Sequence, residues 1–336
     1  MANFTLILLF MPKKSNFPAC FIDSKFIITG ANGFVGSHLC TAMHKLGLNP
    51  VQFVRTTLSN LQNEGTRVEV DLTDRNTVFE LISTLKPHYV VHLAGSKNRN
   101  DDAMCFRGSY DRNLSISLNI IESCIAVPGF KKLIFLGSCD EYGMSQSPFN
   151  EIHQENPTNS YGLSKLATTK LLSSLYSSHQ FQSIVLRPSV IYGPNQGADM
   201  FLPALIQSLL AGKDYPMTHG DQIRDFIYID DVVDAIFKSF LFSESSEALV
   251  LNIAAGVSLS IKNIAHITAS LIHPNKLKLL KIGAVPYRRN EVMNYSVNIE
   301  RARNLLGWQP TTKLEQGLHQ TISYYSSQLD LSLQNQ

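Results

Sequence analysis

The chain has 336 residues, 44% of them hydrophobic and 17% charged, with a formal net charge of +2 at pH 7. That length is ample for a sizeable core, arranged as one large domain or two smaller ones. So small a net charge gives no electrostatic case for nucleic acid or an anionic membrane as partner, and any bound anion must be held by local groups.

The first 23 residues open with an apolar run of eight, FTLILLFM at 4–11, too short to span a bilayer. No basic residue precedes it and no small-residue cleavage site follows. Residues 1–23 therefore read as an extension or an extra strand packed on the domain, with a poorly formed targeting segment as the alternative. From residue 26, short apolar β runs at 26–29, 51–54, 67–70, 89–93, 133–136 and 183–186 alternate with stretches of helical spacing such as 35–46, 75–85 and 115–125. Continuous apolar strands alternating with helices predict a parallel sheet covered on both faces, an α/β, Rossmann-like doubly wound fold.

Beyond Tyr192 the rhythm breaks at the turn Gly193-Pro194-Asn195. A helix is predicted at 201–211, then a short strand at 225–230 leading into a helix from Asp231, then shorter elements ending at 299–306 and Gly307-Trp308-Gln309-Pro310. The expected organisation is a dinucleotide-binding domain at 24–192, a smaller substrate-binding lobe at 193–325 with segments returning to the sheet, and a Ser- and Gln-rich tail at 326–336. The five cysteines (Cys20, Cys40, Cys105, Cys124, Cys139) form no CxxC pair, and the ten histidines form no HExxH-type cluster. Buried thiols in a reducing, cytoplasmic setting and no metal are the expectation.

The first strand runs into Gly30-Ala31-Asn32-Gly33-Phe34-Val35-Gly36 and then a helix. Glycines at spacing three allow a tight turn, close approach to a pyrophosphate and close packing of helix on strand, while the helix N-terminus offers amides and dipole. A glycine-rich structural turn is the bland alternative, but the position at the first β-to-α turn points to a dinucleotide. After the second strand stands Arg55, 19 positions beyond Gly36, with Thr56, Thr57 and Ser59 nearby and no carboxylate between Leu39 and Glu64. An Arg here accommodates a 2′-phosphate, so NADP(H) is expected over NAD(H), unless Arg55 is merely a solvated strand end.

Tyr161-Gly162-Leu163-Ser164-Lys165 sets a phenol and an ammonium four residues apart, on one face of a helix. A neighbouring Lys⁺ favours a phenolate, which suits proton shuttling. Such a pair also occurs by chance on surface helices; its weight here comes from Ser138, at the carboxyl end of the strand 133–136, where active-site groups of such sheets lie.

With Thr29, the glycine loop resembles the TGxxGFxG loop of the extended short-chain dehydrogenase/reductases, the NAD(P)-dependent sugar epimerase/dehydratase family. The order of loop, Ser138, Tyr161 and Lys165 is similar to that family's Ser-Tyr-Lys triad. The resemblance continues through Arg187-Pro188-Ser189-Val190-Ile191-Tyr192-Gly193-Pro194, Arg224-Asp225-Phe226-Ile227-Tyr228-Ile229-Asp230-Asp231 and Arg288-Arg289-Asn290-Glu291 to the GWQP segment, about residues 24–325. It implies that Tyr161 exchanges a proton with a sugar oxygen, that Lys165 tunes it and binds the nicotinamide ribose, and that Ser138 hydrogen-bonds the reacting oxygen. It also implies cofactor contacts at Asp71-Leu72 and at Leu93, Ala94 and Gly95, a structural Asn113, and a homodimer. The substrate would be a nucleoside-diphosphate sugar, with Arg224 and Arg288 on its pyrophosphate and Asp140 beside Ser138 on the sugar.

Family 4,6-dehydratases read T-D-E-x-Y-G where this chain reads Ser138-Cys139-Asp140-Glu141-Tyr142-Gly143. The base position holds the shorter Asp140, and strand alternation would turn Glu141 to the other face. Dehydration is therefore disfavoured. A 4-epimerase retains its nicotinamide and usually favours NAD, against which Arg55 speaks. The leading expectation is NADPH-dependent reduction of the 4-keto group of a nucleoside-diphosphate-4-keto-6-deoxyhexose. An NAD-dependent nucleotide-sugar 4-epimerase is the alternative, ahead of a dehydratase or a non-catalytic cofactor sensor.

Overall fold

The computed structural model describes residues 21, 23–56, 65–97, 103–243, 248–288 and 290–334. In chain order the strands are β1 (Phe26–Thr29), β2 (Val51–Val54), β3 (Arg67–Glu69), β4 (Tyr89–His92), β5 (Lys132–Leu136), β6 (Ser183–Pro188), β7 (Val190–Tyr192), β8 (Tyr215–Met217), β9 (Ile223–Tyr228), β10 (Leu249–Ile253), β11 (Ser258–Ser260), β12 (Leu280–Ile282) and β13 (Asn294–Tyr295). The helices are α1 (Phe34–Lys45), α2 (Arg75–Leu85), α3 (Ala103–Ser109), α4 (Ile116–Ile125), α5 (Ser160–His179), α6 (Phe201–Leu210), α7 (Ile229–Leu241), α8 (Ile261–Ile272), α9 (Glu300–Leu306) and α10 (Leu314–Gln334). A π-helical turn, Tyr110–Ser115, joins α3 to α4.

Seven strands form one sheet in the order β10-β6-β5-β4-β1-β2-β3, all pairs parallel. This is the doubly wound sheet that the alternation predicts. Its central strands are buried along their whole length, as strands covered on both faces must be. The chain winds outward from β1 through β2 to β3, then crosses back to β4. The carboxyl ends of β1 and β4 therefore flank the switch point, where open α/β sheets bind ligands.

Two segments beyond Tyr192 complete this sheet. β10 adds an edge beside β6, and α7 covers one face, its Phe240 ring 5.2 Å from Phe26 and 5.6 Å from Tyr89. The buried Lys132 ammonium donates to the carbonyls of Ser239, at 3.1 Å, and Phe242, satisfying acceptors left over at the end of α7. The strand expected at 225–230 lies two residues earlier, as β9, which pairs with β7, β11 and β13 in a separate small sheet. Residues 1–20 and 22 fall outside the described residues, and with them almost all of the expected extension. Phe21 is described, and its ring sits 5.5 Å from Tyr89. The expected tail is not a separate segment up to Gln334, because α10 runs on through it, with Tyr324 Oη donating to Asn195 Oδ1.

The GWQP segment is a clamp. Trp308 is fully buried and its indole N–H donates to the Asp231 carbonyl at 3.0 Å. The Asp231 carboxylate accepts from Thr311 N (2.8 Å), Thr311 Oγ1 (2.9 Å) and Thr312 N (3.2 Å). Residues 308–312 are thus fixed to the first turn of α7. Trp308→Ala should destabilise the protein by about 3–5 kcal/mol, read as a lower urea midpoint at unchanged slope; a loss below about 1 kcal/mol would contradict the clamp.

Candidate active site

Gly30 has φ +68°, and a Cβ there would stand 2.8 Å from the Ala94 amide, so the β1–α1 turn and the loop after β4 touch backbone to backbone. A Cβ on Gly36 would lie 2.3 Å from the Gly30 carbonyl. Gly33 caps α1 without a side-chain bond, and the first turn carries no acidic residue. The amides of Phe34, Val35 and Gly36 therefore have no intrahelical acceptor and stand at the positive end of the helix dipole. This Cβ-free cradle fits the pyrophosphate of a dinucleotide.

Asn32 Nδ2 donates to the Thr56 carbonyl at 3.1 Å, tying the loop to the end of β2, where Arg55 is exposed. Beyond β3, Asp71 Oδ1 accepts from Thr73 N (2.9 Å) and Oγ1 (2.7 Å). Those bonds hold its carboxyl below the usual range, with a smaller contribution from Arg55. Leu72 is half-buried, and its carbonyl accepts from Asn119 Nδ2 at 2.9 Å. Thr57 and Ser59 lie outside the described residues.

A buried polar chain fixes the cofactor side. Thr29 Oγ1 accepts from the amides of Leu93 and Ala94, both at 3.2 Å, so its own proton goes to His92 Nδ1 at 2.7 Å. His92 Nε2–H then donates to Ser117 Oγ (3.0 Å), which donates to the Asn113 carbonyl (2.6 Å) in the π turn. Burial, reinforced by the Lys165 charge, holds the His92 imidazole down at about 3, so it stays neutral. The Asn113 side chain accepts from Ser96 N (2.6 Å) and donates to Ser164 Oγ (2.8 Å), joining the loop beyond Gly95 to α5.

Ser138, Tyr161 and Lys165 lie on adjoining elements. Ser138 ends the β5 segment and caps a 3₁₀ turn, Cys139–Glu141, its Oγ accepting the Asp140 amide at 3.1 Å. Lys165 is buried; its Nζ donates to the Leu136 carbonyl at 2.7 Å and lies 5.9 Å from the Tyr161 ring centroid. Burial pulls the Lys165 ammonium down to about 8, partly offset by Glu141. Tyr161 is half-buried. Gly162 lets these elements meet, since a Cβ there would stand 2.5 Å from the Asp140 carbonyl.

Strand alternation, expected to turn Glu141 to the other face, does not govern it, because the chain has already left the strand for the 3₁₀ turn. Glu141 is fully buried and paired with Arg187 at 2.8 Å, and this engagement keeps it from replacing Asp140 as a base. Asp140 Oδ1 accepts from Tyr295 Oη at 2.8 Å, a partner that no motif pointed to. Arg224 donates to the carbonyls of Ile223 and Val292, both at 2.7 Å, pairs with Glu291 and stacks 5.4 Å from the Tyr295 ring. A diphosphate reaching Arg224 would have to take the place of Glu291. Arg288 is exposed on the loop that carries Glu291. Among the described residues no group of three His, Cys, Asp or Glu side chains could hold a metal, and no helix is long and apolar enough to cross a membrane. Cys40, Cys124 and Cys139 are free and buried; Cys20 lies outside the described residues.

A phosphate cradle at a sheet switch point, with a serine, a tyrosine and a buried lysine beside it, defines a dinucleotide-dependent oxidoreductase of the short-chain type. The chain belongs to the NAD-dependent epimerase/dehydratase family, whose model matches residues 26–254. It is 25% identical over 315 residues to the UDP-glucose 4-epimerase of Rhizobium meliloti (strain 1021), covering 86% of this chain and 93% of that one. Among solved structures it is similar to the Thermotoga maritima UDP-glucose 4-epimerase with UDP-glucose (TM-score 0.82, 25% identity, 91% of this chain and 99% of that one). It is also similar to MoeE5 in complex with UDP-glucose and NAD (TM-score 0.80, 27% identity, 91% and 99%).

Two outcomes follow from this geometry. Gly36→Ala should weaken dinucleotide binding at least tenfold by titration of nicotinamide fluorescence, since the new methyl meets backbone; retained affinity would remove the cradle assignment. For His92, the unfolded chain takes up a proton near pH 6.5 while the folded site resists to about 3. Its stability contribution is full above that window and is lost as pH falls through it, by about 1.4 kcal/mol per pH unit. Denaturant titrations should give a shallower acid slope in His92→Asn than in the wild type, and equal slopes would refute the assignment.

Proposed function

We propose that this protein is a nucleotide-sugar 4-epimerase acting on a UDP-hexose or a near relative. The observation that carries the reading is the grouping of Ser138, Tyr161 and Lys165 beside the glycine cradle. Support also comes from the relatives, two of them UDP-glucose 4-epimerases and one solved with UDP-glucose and NAD. This prefers the alternative over the reductase that the sequence reading put first.

The cradle of Gly30, Gly33 and Gly36 would hold a dinucleotide, whose nicotinamide would supply a reversible hydride acceptor for C4, with return to the opposite face of the sugar. Tyr161 takes the proton of the 4-hydroxyl and later returns a proton to the same oxygen, so the cycle is redox-neutral. Ser138 Oγ hydrogen-bonds that oxygen and holds it against the phenol. Lys165, mostly protonated at neutral pH and shielded from water, supports the phenolate through a low-dielectric path. Arg224 and Arg288 are the groups for the diphosphate, with Glu291 leaving Arg224 as it binds.

Arg55 supports a second reading, NADPH-dependent reduction of a 4-keto-6-deoxyhexose nucleotide. Its exposed position at the end of β2, beside the Asn32–Thr56 bond, suits a 2′-phosphate. The two readings differ in whether nicotinamide is consumed. UDP-glucose and UDP-glucuronic acid incubated with enzyme and NAD should equilibrate with their C4 epimers by NMR, without net change in nicotinamide absorbance. NADPH consumption with CDP-, dTDP- or GDP-4-keto-6-deoxyhexoses, and no epimer formed, would replace the epimerase by the reductase. In either case Tyr161→Phe should cost about 10²- to 10⁴-fold in turnover with dinucleotide affinity unchanged. Undiminished turnover would refute the proton role.

A further inference from the structure

Glu141 has no part in the cradle or in the sugar-facing groups, yet it is the most heavily engaged carboxylate of the site. Its Oε1 accepts the Ser138 amide at 2.9 Å, while Oε2 accepts Thr169 Oγ1 at 2.9 Å and Arg187 Nε at 2.8 Å. One side chain thereby joins the catalytic turn, α5 and β6. Arg187 in turn lies 4.7 Å from the Tyr142 ring and bonds Glu155 at 2.8 Å, which reaches Lys170 at 2.8 Å. A Cβ on Gly137 would stand 2.5 Å from Glu141 Oε1, so the glycine before Ser138 leaves room for this carboxylate.

A neutral Gln would serve the capping geometry equally well. Burying a carboxylate with its Arg costs several kcal/mol of desolvation, and its charge needs a reason beyond the turn. Thr169, which contacts Glu141, sits one helical turn after Lys165. The groups facing Lys165 are the Leu136 carbonyl and Phe135 ring from β5, neutral His92 from β4, the Gly95 backbone from the loop beyond it, and Tyr161 from its own helix. None of these carries a negative charge while Tyr161 is protonated. Glu141 does.

We propose that Glu141 is a positioning residue of this active site, setting Ser138 through the turn it caps and supporting the Lys165 ammonium with a charge that Arg187 keeps in place. The proposal rests on the reading of Ser138, Tyr161 and Lys165 as the reacting groups, but its deciding readout, the Lys165 midpoint, needs no sugar substrate. The probe is the Lys165 titration followed by NMR of full-length protein labelled at lysine Cε, with Lys165→Met assigning the signal. Glu141→Gln keeps an acceptor for the Ser138 amide and removes the charge, and the Lys165 midpoint should fall by roughly one pH unit. Glu141→Asp keeps the charge but withdraws it from the amide by one methylene; it should hold the midpoint near that of the wild type while lowering kcat with little change in KM.

Should Glu141→Gln alone leave Arg187 stranded and fail to fold, the double variant Glu141→Gln with Arg187→Gln removes both charges and should show a smaller downward shift, since losing the Arg187 cation offsets part of the loss of the carboxylate. An unchanged midpoint in either folded variant overturns the proposal. A failed substrate panel with a shifted midpoint would instead overturn the epimerase reading and leave the role of Glu141 standing.

Discussion

The contact between Gly30 and Ala94 is the constraint on which the site depends. No side chain fits between the β1–α1 turn and the loop after β4. The Thr29 hydroxyl stitches the two together by accepting the amides of Leu93 and Ala94. Because its proton must then go to His92, one tautomer of a buried imidazole is selected, and the direction of every bond out to Asn113 is set. The π turn that presents Asn113 is thus held from the sheet side by this chain and from the helix side by Ser164. The glycine loop and the helix that carries Tyr161 and Lys165, far apart in sequence, are positioned by a single run of hydrogen bonds.

Charge follows the same economy. The buried Lys165 and Arg187 are set against Glu141 and Glu155, with both oxygens of Glu155 accepting from the exposed Lys170. Low dielectric makes each of these charges costly alone and strongly coupled together. The turn at Cys139–Glu141 therefore has two sides. One accepts from Tyr295 of β13 through Asp140 and faces the small sheet around β9; the other is anchored in the main sheet through Glu141.

Short-range chemistry was legible in the sequence: glycines at spacing three after a strand, and a phenol and an ammonium one helical turn apart. Features that depend on distant partners were not. Arg224 looked like a group waiting for phosphate, but its carboxylate partner Glu291 lies 67 positions away, where no spacing rule reaches. The orientation of Glu141 escapes strand alternation because the residue lies in a 3₁₀ turn beyond the end of β5. A return of later segments to the sheet was expected, but nothing local marks β10 as the one that does so, since its partner β6 lies far upstream. Tyr295 and Asp231 act through contacts that only the folded chain brings about.

The Trp308–Asp231 clamp also bears on how this chain is made. Synthesis proceeds from the N-terminus, and domains generally fold as units as they emerge. Here α7, which covers the face of the sheet at Phe26 and Tyr89, is itself secured by residues 308–312, far downstream of it. The sheet's cover therefore stays unfastened until residues 308–312 have been made and have left the ribosome. Cutting the chain before residue 308 would free the first turn of α7 and so be felt at the N-terminal strand that this helix covers.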